Sequence, residues 1–318
     1  MEERSRMSLV TVVIPTHNRS ALLARTLASA LAQRGVELRA IVVDDGSTDD
    51  TPRVVERLAD PRVTLIRNAR SLGVSAARNL GAAAATSEWV AFLDDDDLWA
   101  PEKLAKQLGA AERDGRRWAC CGTVTVTPDL RIVAGGAPHA AADIVAQLPV
   151  RNMIPAGASN VIARRDALAD AGPFDTGLRH MGDWDLWIRL SRLGPPAVVA
   201  EPLLAYRLHD GNASADTATI ASEMAIIEER YAALRAGAAI DRAYVYRWAA
   251  WNALRVGRRG AALRAYARAA ASGDALSLGR AMVALAAPGI ARRSLRRHRD
   301  TSAWEASAAA WLGPPGAA

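Results

Sequence analysis

At 318 residues, half of them hydrophobic and 23% charged, the chain has the composition of a soluble globular protein, with room for one large domain, an appendage and an ample core. No apolar stretch is long enough to span a bilayer, and the apolar run that ends at Pro15 is followed by no cleavable signal pattern, so a cytoplasmic location is expected, extending to peripheral contact with the inner membrane surface. The net charge of +6 is uneven, −2 over residues 1–220 and +8 over residues 221–318, so the basic character belongs to the C-terminal third.

Apolar runs alternate with helical patterns through the first half. Residues 9–14 are β-branched and read as a buried strand; Asn18 or Ser20 caps the helix that follows, with Leu23, Leu27 and Ala30 on one face. Residues 38–43 form a second strand, ending in Asp44-Asp45-Gly46-Ser47, and Pro52 suits a first helical position. A strand at 63–66, a small-residue helix at 74–85 and a strand at 89–93 complete an alternation that argues a mostly parallel sheet flanked by helices. Further on, 118–127, 158–163 and 197–208 read as extended and 183–193 as a helix. Cys120 and Cys121 lie inside an apolar run and read as buried thiols rather than metal ligands. Beyond about residue 217 the pattern is helical and Ala/Arg-rich. The expected organisation is an α/β domain over 1–217 and a helical, basic extension over 218–318.

Ligands of open α/β sheets bind outside the carboxyl ends of the strands. Here those ends read Pro15-Thr16-His17-Asn18, Asp44-Asp45-Gly46-Ser47 and Asp94-Asp95-Asp96-Asp97. The Gly-rich dinucleotide fingerprint is absent. An acidic mouth repels phosphate unless a divalent cation stands between, and Mg2+ or Mn2+ takes carboxylate oxygens and bridges them to phosphate.

The strings VVIPTHNR, IVVDDGSTDDT, LGVSAARNLGAAAA and WVAFLDDDDLW, followed by GPFDTGLRHMGDWDLWIRL and AYRLHDGNAS, resemble the inverting family 2 glycosyltransferases of the GT-A fold. The match runs from about residue 8 to 215. The resemblance implies a Rossmann-like nucleotide-diphospho-sugar transferase fold and a nucleotide site at Pro15, Thr16, Asp44, Asp45, Arg78 and Asp95, with Asp45 at the base. It implies a Mn2+ or Mg2+ site at Asp96, with Asp94 and His209. Asp183 is implied as the base that takes the proton of an acceptor hydroxyl, and Ser159, Asn160 and Trp184 lie where acceptor loops form. The family often carries Glu-Asp where this chain has Gly182-Asp183. By themselves Asp44–Ser47 also read as a turn, Asp97 and Asp183 as helix caps, and His209 as a loop histidine.

The expected partners are a nucleoside-diphosphate-sugar donor, UDP-linked first, and a glycan or lipid-linked acceptor. No nucleic-acid motif is present. Arg292, Arg293, Arg296, Arg297 and Arg299 form a basic segment that reads as a solvated face or as a contact with anionic lipid, which Trp304 and Trp311 would suit. The rival to catalysis is an inactive relative that binds nucleotide-sugar as an adaptor at the membrane surface. A nucleotidyltransferase would need a Gly-rich phosphate loop after the first strand, and a glycoside hydrolase would not explain acids ending parallel strands.

Overall fold

The computed structural model describes residues 8–209, 217–255, 257–286 and 302–313. The arginines of 292–299 lie outside these residues, and the expected boundary at 217 borders the undescribed segment 210–216.

The four apolar runs of the first half become β1 (Leu9–Thr16), β2 (Glu37–Asp44), β3 (Val63–Arg67) and β4 (Trp89–Phe92). They pair in parallel in the order β3-β2-β1-β4. The register sets Thr16 opposite Asp44 and Val13 opposite Phe92, so the carboxyl ends of β1, β2 and β4 finish side by side. Helices α1 (Ser20–Leu31), α2 (Thr51–Leu58) and α3 (Val74–Ala84) alternate with these strands. Because side chains alternate across a strand, Val10, Val12 and Ile14 pack with Leu23, Leu27 and Ala30 of α1 on one face. Val13, Ile41 and Val43 pack with Ala77 of α3 on the other. A Cβ at Gly81 would stand 2.3 Å from Val13 Cγ1, so the glycine is what lets α3 lie against the sheet.

Helix α1 has Arg19 at its N-cap position and no side-chain cap, contrary to the expectation for Asn18 or Ser20. Asn18, at φ 54°, instead accepts the Thr48 N–H at 2.8 Å and ties the end of β1 to the loop after β2.

The second half adds β5 (Leu98–Trp99), α4 (Lys103–Arg113), β6 (Trp118–Val126), β7 (Ile132–Gly136), α5 (Ala141–Gln147), β8 (Ile162–Arg164), α6 (Arg165–Ala171), α7 (Gly182–Ser191) and β9 (Ala197–Arg207). The sheet continues β4-β8-β6-β9-β5 with β7 beside β6; β6 and β9 are parallel and the other new pairs antiparallel. Part of the strand expected at 158–163 is a 3-10 turn, Gly157–Asn160. The reason is a left-handed pair, Ala156 at φ 59° and Gly157 at φ 56°, which turns the chain before β8 begins. Helix α7 is buried almost all round.

The extension is helical, as expected: α8 (Thr217–Arg230), α9 (Arg242–Arg255), α10 (Arg259–Ala271), α11 (Leu276–Ala286) and α12 (Ser302–Leu312). It shares the core of the α/β part, since Ile220, Met224 and Ile227 of α8 belong to the same apolar cluster as Trp184, Trp187 and Phe92. Fully burying one such aromatic side chain contributes roughly 1.5–3 kcal/mol. Trp304 and Trp311 of α12 do not face outward. Their indole N–H groups donate to the carbonyls of Thr123 and Pro202, each at 3.0 Å, and any Cβ at Gly122 would overlap the Trp304 ring. Among the described residues no helix is long and apolar enough to cross a membrane.

Candidate active site

The turn after β2 separates the two adjacent acids by alternation. Asp44, fully buried, accepts the Ser47 N–H and the Arg67 guanidinium, each at 2.9 Å. Asp45 turns to the loop ahead of α3. It accepts Asn68 Nδ2 and Ser71 Oγ at 2.7 Å, Gly73 N at 2.8 Å and Leu72 N at 2.9 Å. Burial pushes its carboxyl up, yet the donors of Asn68, Leu72, Ser71 and Gly73 outweigh it and hold the group below the ordinary carboxylate value. Through Asn68 it borders a cavity of about 370 Å³ lined by Gly46, Ser47, Thr48, Arg67, Asn68 and Ala69. His17 donates from Nδ1 to the Asp45 carbonyl at 2.8 Å and braces the same corner.

The acidic quartet follows β4, and its four side chains have different surroundings. Asp97 is wholly buried, accepts the Arg207 N–H at 3.1 Å, and is pushed well above the carboxylate range by burial and by repulsion from Asp96 and Asp94. Asp95, beside Pro15-Thr16, is pushed up to about 8 by burial and by the Asp96 charge, against the pull of Thr16 and Arg19. Asp96 Oδ2 stands 2.7 Å from His209 Nε2, and the Arg19 guanidinium reaches the same imidazole at 3.0 Å. Arg207, at the end of β9, donates to the Asp96 carbonyl at 2.7 Å and is taken up in holding this turn. So β9 brings His209 to a strand end distant in sequence, and the pairing of β5 with β9 sets that approach.

These residues fit a divalent cation. Crowded carboxylates raise one another's proton affinity, and a cation removes that cost. No three His, Cys, Asp or Glu side chains converge into a cage among the described residues. Mg2+ or Mn2+ bound through one or two carboxylates keeps its other positions for water and substrate phosphate, and Asp96, with His209 beside it, would suit such a site.

Asp94 faces the other way, across the cleft. Its backbone N–H donates to Ser159 Oγ at 2.9 Å, and its carboxylate accepts Arg78 Nη2 at 2.5 Å. Arg78 leaves α3 beneath the Phe174 ring, 5.3 Å from its centroid. Its buried Nε has no hydrogen-bond partner among the described residues, a donor left for a ligand oxygen. Opposite, at the start of α7, Asp183 is partly buried and accepts its neighbour's N–H, that of Trp184, at 2.8 Å. Burial pushes its carboxyl up to about 6, although the Arg78 charge and the Trp184 N–H pull it down. Gly157 sits between the two acids. A Cβ there would lie 3.2 Å from Asp183 Oδ2 and 3.9 Å from Asp94 Oδ2, so the glycine keeps this space open.

The three residues expected at the acceptor face inward. Ser159 and Asn160 are fully buried. Asn160 exchanges hydrogen bonds with the Cys121 backbone at 2.7 and 3.0 Å. Trp184 is fully buried and donates to the Leu148 carbonyl at 2.7 Å, so its ring belongs to the core. Asp185, two residues after Asp183, leaves the Asp183 face. It is nonetheless fully buried, bound by Arg230 Nη1 at 2.6 Å and Tyr231 Oη at 2.7 Å from the extension. Gly157, Arg19 and the Asn68–Gly73 loop were not separable in sequence from ordinary turn residues. The positive φ of Gly157 is a tertiary feature, and only the position of Arg19 after a strand end hinted at a role.

The family model described as Glycosyl transferase family 2 matches residues 11–138. Succinoglycan biosynthesis protein ExoO of Rhizobium meliloti is 42% identical over 110 residues, 35% of this chain and 32% of that protein. The Escherichia coli UDP-Glc:alpha-D-GlcNAc-diphosphoundecaprenol beta-1,3-glucosyltransferase WfaP is 34% identical over 34% of this chain and 43% of its own. The chain thus spans less than half the length of these two relatives. Amylovoran biosynthesis glycosyltransferase AmsB of Erwinia amylovora is 30% identical over 210 residues, 62% of this chain and 69% of that protein. Among solved structures, the mannosyltransferase PcManGT of Pyrobaculum calidifontis, in complex with GDP-Man and Mn2+, superposes with a TM-score of 0.58 at 23% identity, covering 96% of this chain and 87% of that one. The family model covers the acids at the ends of β2 and β4, AmsB is matched over more than two thirds of its length, and the chain is a member of glycosyl transferase family 2.

Proposed function

We propose that the chain is an inverting, metal-dependent glycosyltransferase, drawing a sugar from a UDP-sugar and passing it to an acceptor hydroxyl in polysaccharide synthesis. The observation that carries this reading is the position of Asp183. A carboxyl held at about 6 faces the Arg78–Asp94 pair across a gap that Gly157 leaves free. A base tuned toward neutrality suits proton removal from a hydroxyl. The cavity beside Asp45 would take the base, and Arg78 would meet a phosphate or sugar oxygen. A divalent cation held by Asp96 and His209, with Asp94 or Asp95 beside it, would neutralise the departing diphosphate.

As the acceptor oxygen bonds to the anomeric carbon, the bond from that carbon to the diphosphate breaks and the hydroxyl proton passes to Asp183. One displacement inverts the centre. The activity for which WfaP is named supports UDP-glucose as the first donor to try and a lipid-linked diphosphate as the first acceptor. Such an acceptor would bring residues 1–217, which carry the donor side chains, to a membrane surface from the cytoplasmic side, with 218–318 as the buttress.

Calorimetric titration of UDP, GDP and dTDP, each with and without Mn2+, tests this. Binding of UDP that disappears without metal is expected, followed by release of UDP from UDP-glucose and an inverted product by NMR. If no diphosphate binds the folded protein, the transferase reading fails. Metal-dependent binding with neither transfer nor hydrolysis would make the chain a nucleotide-sugar adaptor instead.

A further inference from the structure

Glu223 lies on α8, in the helical extension, and is 3% exposed. One carboxylate oxygen accepts the Arg179 N–H at 2.7 Å, and the other accepts those of His180 and Met181, both at 2.8 Å. Met181 immediately precedes α7, and Asp183 is the second residue of that helix. A run of backbone donors ahead of a helix start favours an anion through the hydrogen bonds and through the positive end of the helix.

The same segment is gripped from its other side by α3. Ser75 Oγ donates to the Leu178 carbonyl at 3.1 Å, and Asn79 exchanges two 2.8 Å hydrogen bonds with the Phe174 backbone. A Cβ at Gly182 would stand 2.9 Å from Ser75 Oγ. A side chain at position 182, where the resemblance implies Glu, would therefore displace the Ser75 hydroxyl from its hydrogen bond with the Leu178 carbonyl. The carboxylate at this helix start comes from α8 instead.

We propose that Glu223 is a positioning residue for the transfer reaction: it fixes the backbone of residues 179–181 and, through it, the place of the Asp183 carboxyl opposite Arg78 and Asp94. The proposal rests on Asp183 acting as the base. It makes the extension part of the catalytic apparatus. A tie that only held α8 in place would leave turnover by the folded protein untouched.

The test uses the full chain with Mn2+ and follows UDP release from UDP-glucose or UDP-GlcNAc, whichever the wild type hydrolyses faster, with water as acceptor. Glu223→Gln keeps one acceptor oxygen but turns an NH2 group toward backbone donors. Because small displacements of a reacting group are costly, kcat should fall about ten- to a hundredfold with donor KM and UDP affinity within about twofold. The rising limb of the pH–kcat profile should move, and the amides of residues 179–181 should exchange faster with deuterium. Glu223→Asp restores the charge one methylene short and should recover part of kcat. Glu228→Gln, which removes the ion pair of the same helix with Arg242, should lower stability and leave kcat and the pH limb alone.

Equal kcat and equal pH limbs in Glu223→Gln and Glu228→Gln would overturn the proposal. If Glu223→Gln does not fold, Glu223→Asp against Glu228→Gln decides on the same readouts. A wild-type rate in Asp183→Asn would instead sink the base itself. An inactive Asp183→Asn beside a fully active Glu223→Gln would sink the positioning role alone.

Discussion

Asp183→Asn separates what this side chain does for chemistry from what it costs the fold. The carboxyl stands at about 6 against an ordinary 3.8 because burial outweighs the attraction of Arg78 and the Trp184 N–H. At pH 7 its ionised form therefore costs up to about 3 kcal/mol relative to a solvated carboxylate. The side chain keeps contact with solvent, which screens that cost, and about 1 kcal/mol is a realistic fraction. Asparagine keeps an oxygen to accept the Trp184 N–H while dropping the charge.

The folded protein binds more protons at this site than the unfolded chain between about pH 4 and 6, so wild-type stability falls as pH rises through that window. The variant lacks this slope. Thermal melts should place Asp183→Asn about 2 °C above wild type at pH 8 and level with it near pH 4. Turnover at pH 8 should drop about 10²–10⁴-fold, the usual contribution of a positioned base. The wild-type rate should itself rise with pH through about 6. A variant that melts below wild type at pH 8 would refute the buried-charge argument, and one that turns over at the wild-type rate would refute the base.

Other perturbations probe the remaining parts of the cleft. Gly157→Ala places a methyl 3.2 Å from Asp183 Oδ2 in a residue at φ 56°; turnover should fall at least about tenfold with UDP affinity unchanged, and an unaffected rate would show that the gap is not used. Asp96→Asn should weaken Mn2+-dependent UDP binding by about tenfold or more while metal-free titrations stay the same, and equal Mn2+ dependence in both proteins would remove Asp96 from the metal site. Tyr231→Phe strips a 2.7 Å hydrogen bond from the buried Asp185 carboxylate and should cost about 1–3 kcal/mol in denaturant unfolding; no loss would mean that Arg230 and Arg189 suffice.

Much of the first half was legible because its signals are local. A strand buried on both faces needs a nearly unbroken apolar run, and β1, β2 and β4 carry theirs within a residue or two of their ends. Since a parallel sheet opens its ligand crevice at those ends, Asp44, Asp45 and Asp94–Asp97 could be named as one group from spacing alone. Cys120 and Cys121 were legible for the same reason, as two residues inside one apolar run.

What each acid meets was decided only by the tertiary structure. Asp183 and Asp185 stand two residues apart on one helix, yet one faces Arg78 and the other is clamped by Arg230 and Tyr231, because α8 covers the second side of α7. Ser159, Asn160 and Trp184 lie in the expected stretch but spend their polar atoms on backbone groups of other elements, which no periodicity reports. Glu223 reads as one more charge on a helix until folding carries it to the three amides before Asp183. Periodicity is a property of neighbours along the chain; the charge, burial and partner of a side chain are set by neighbours in space.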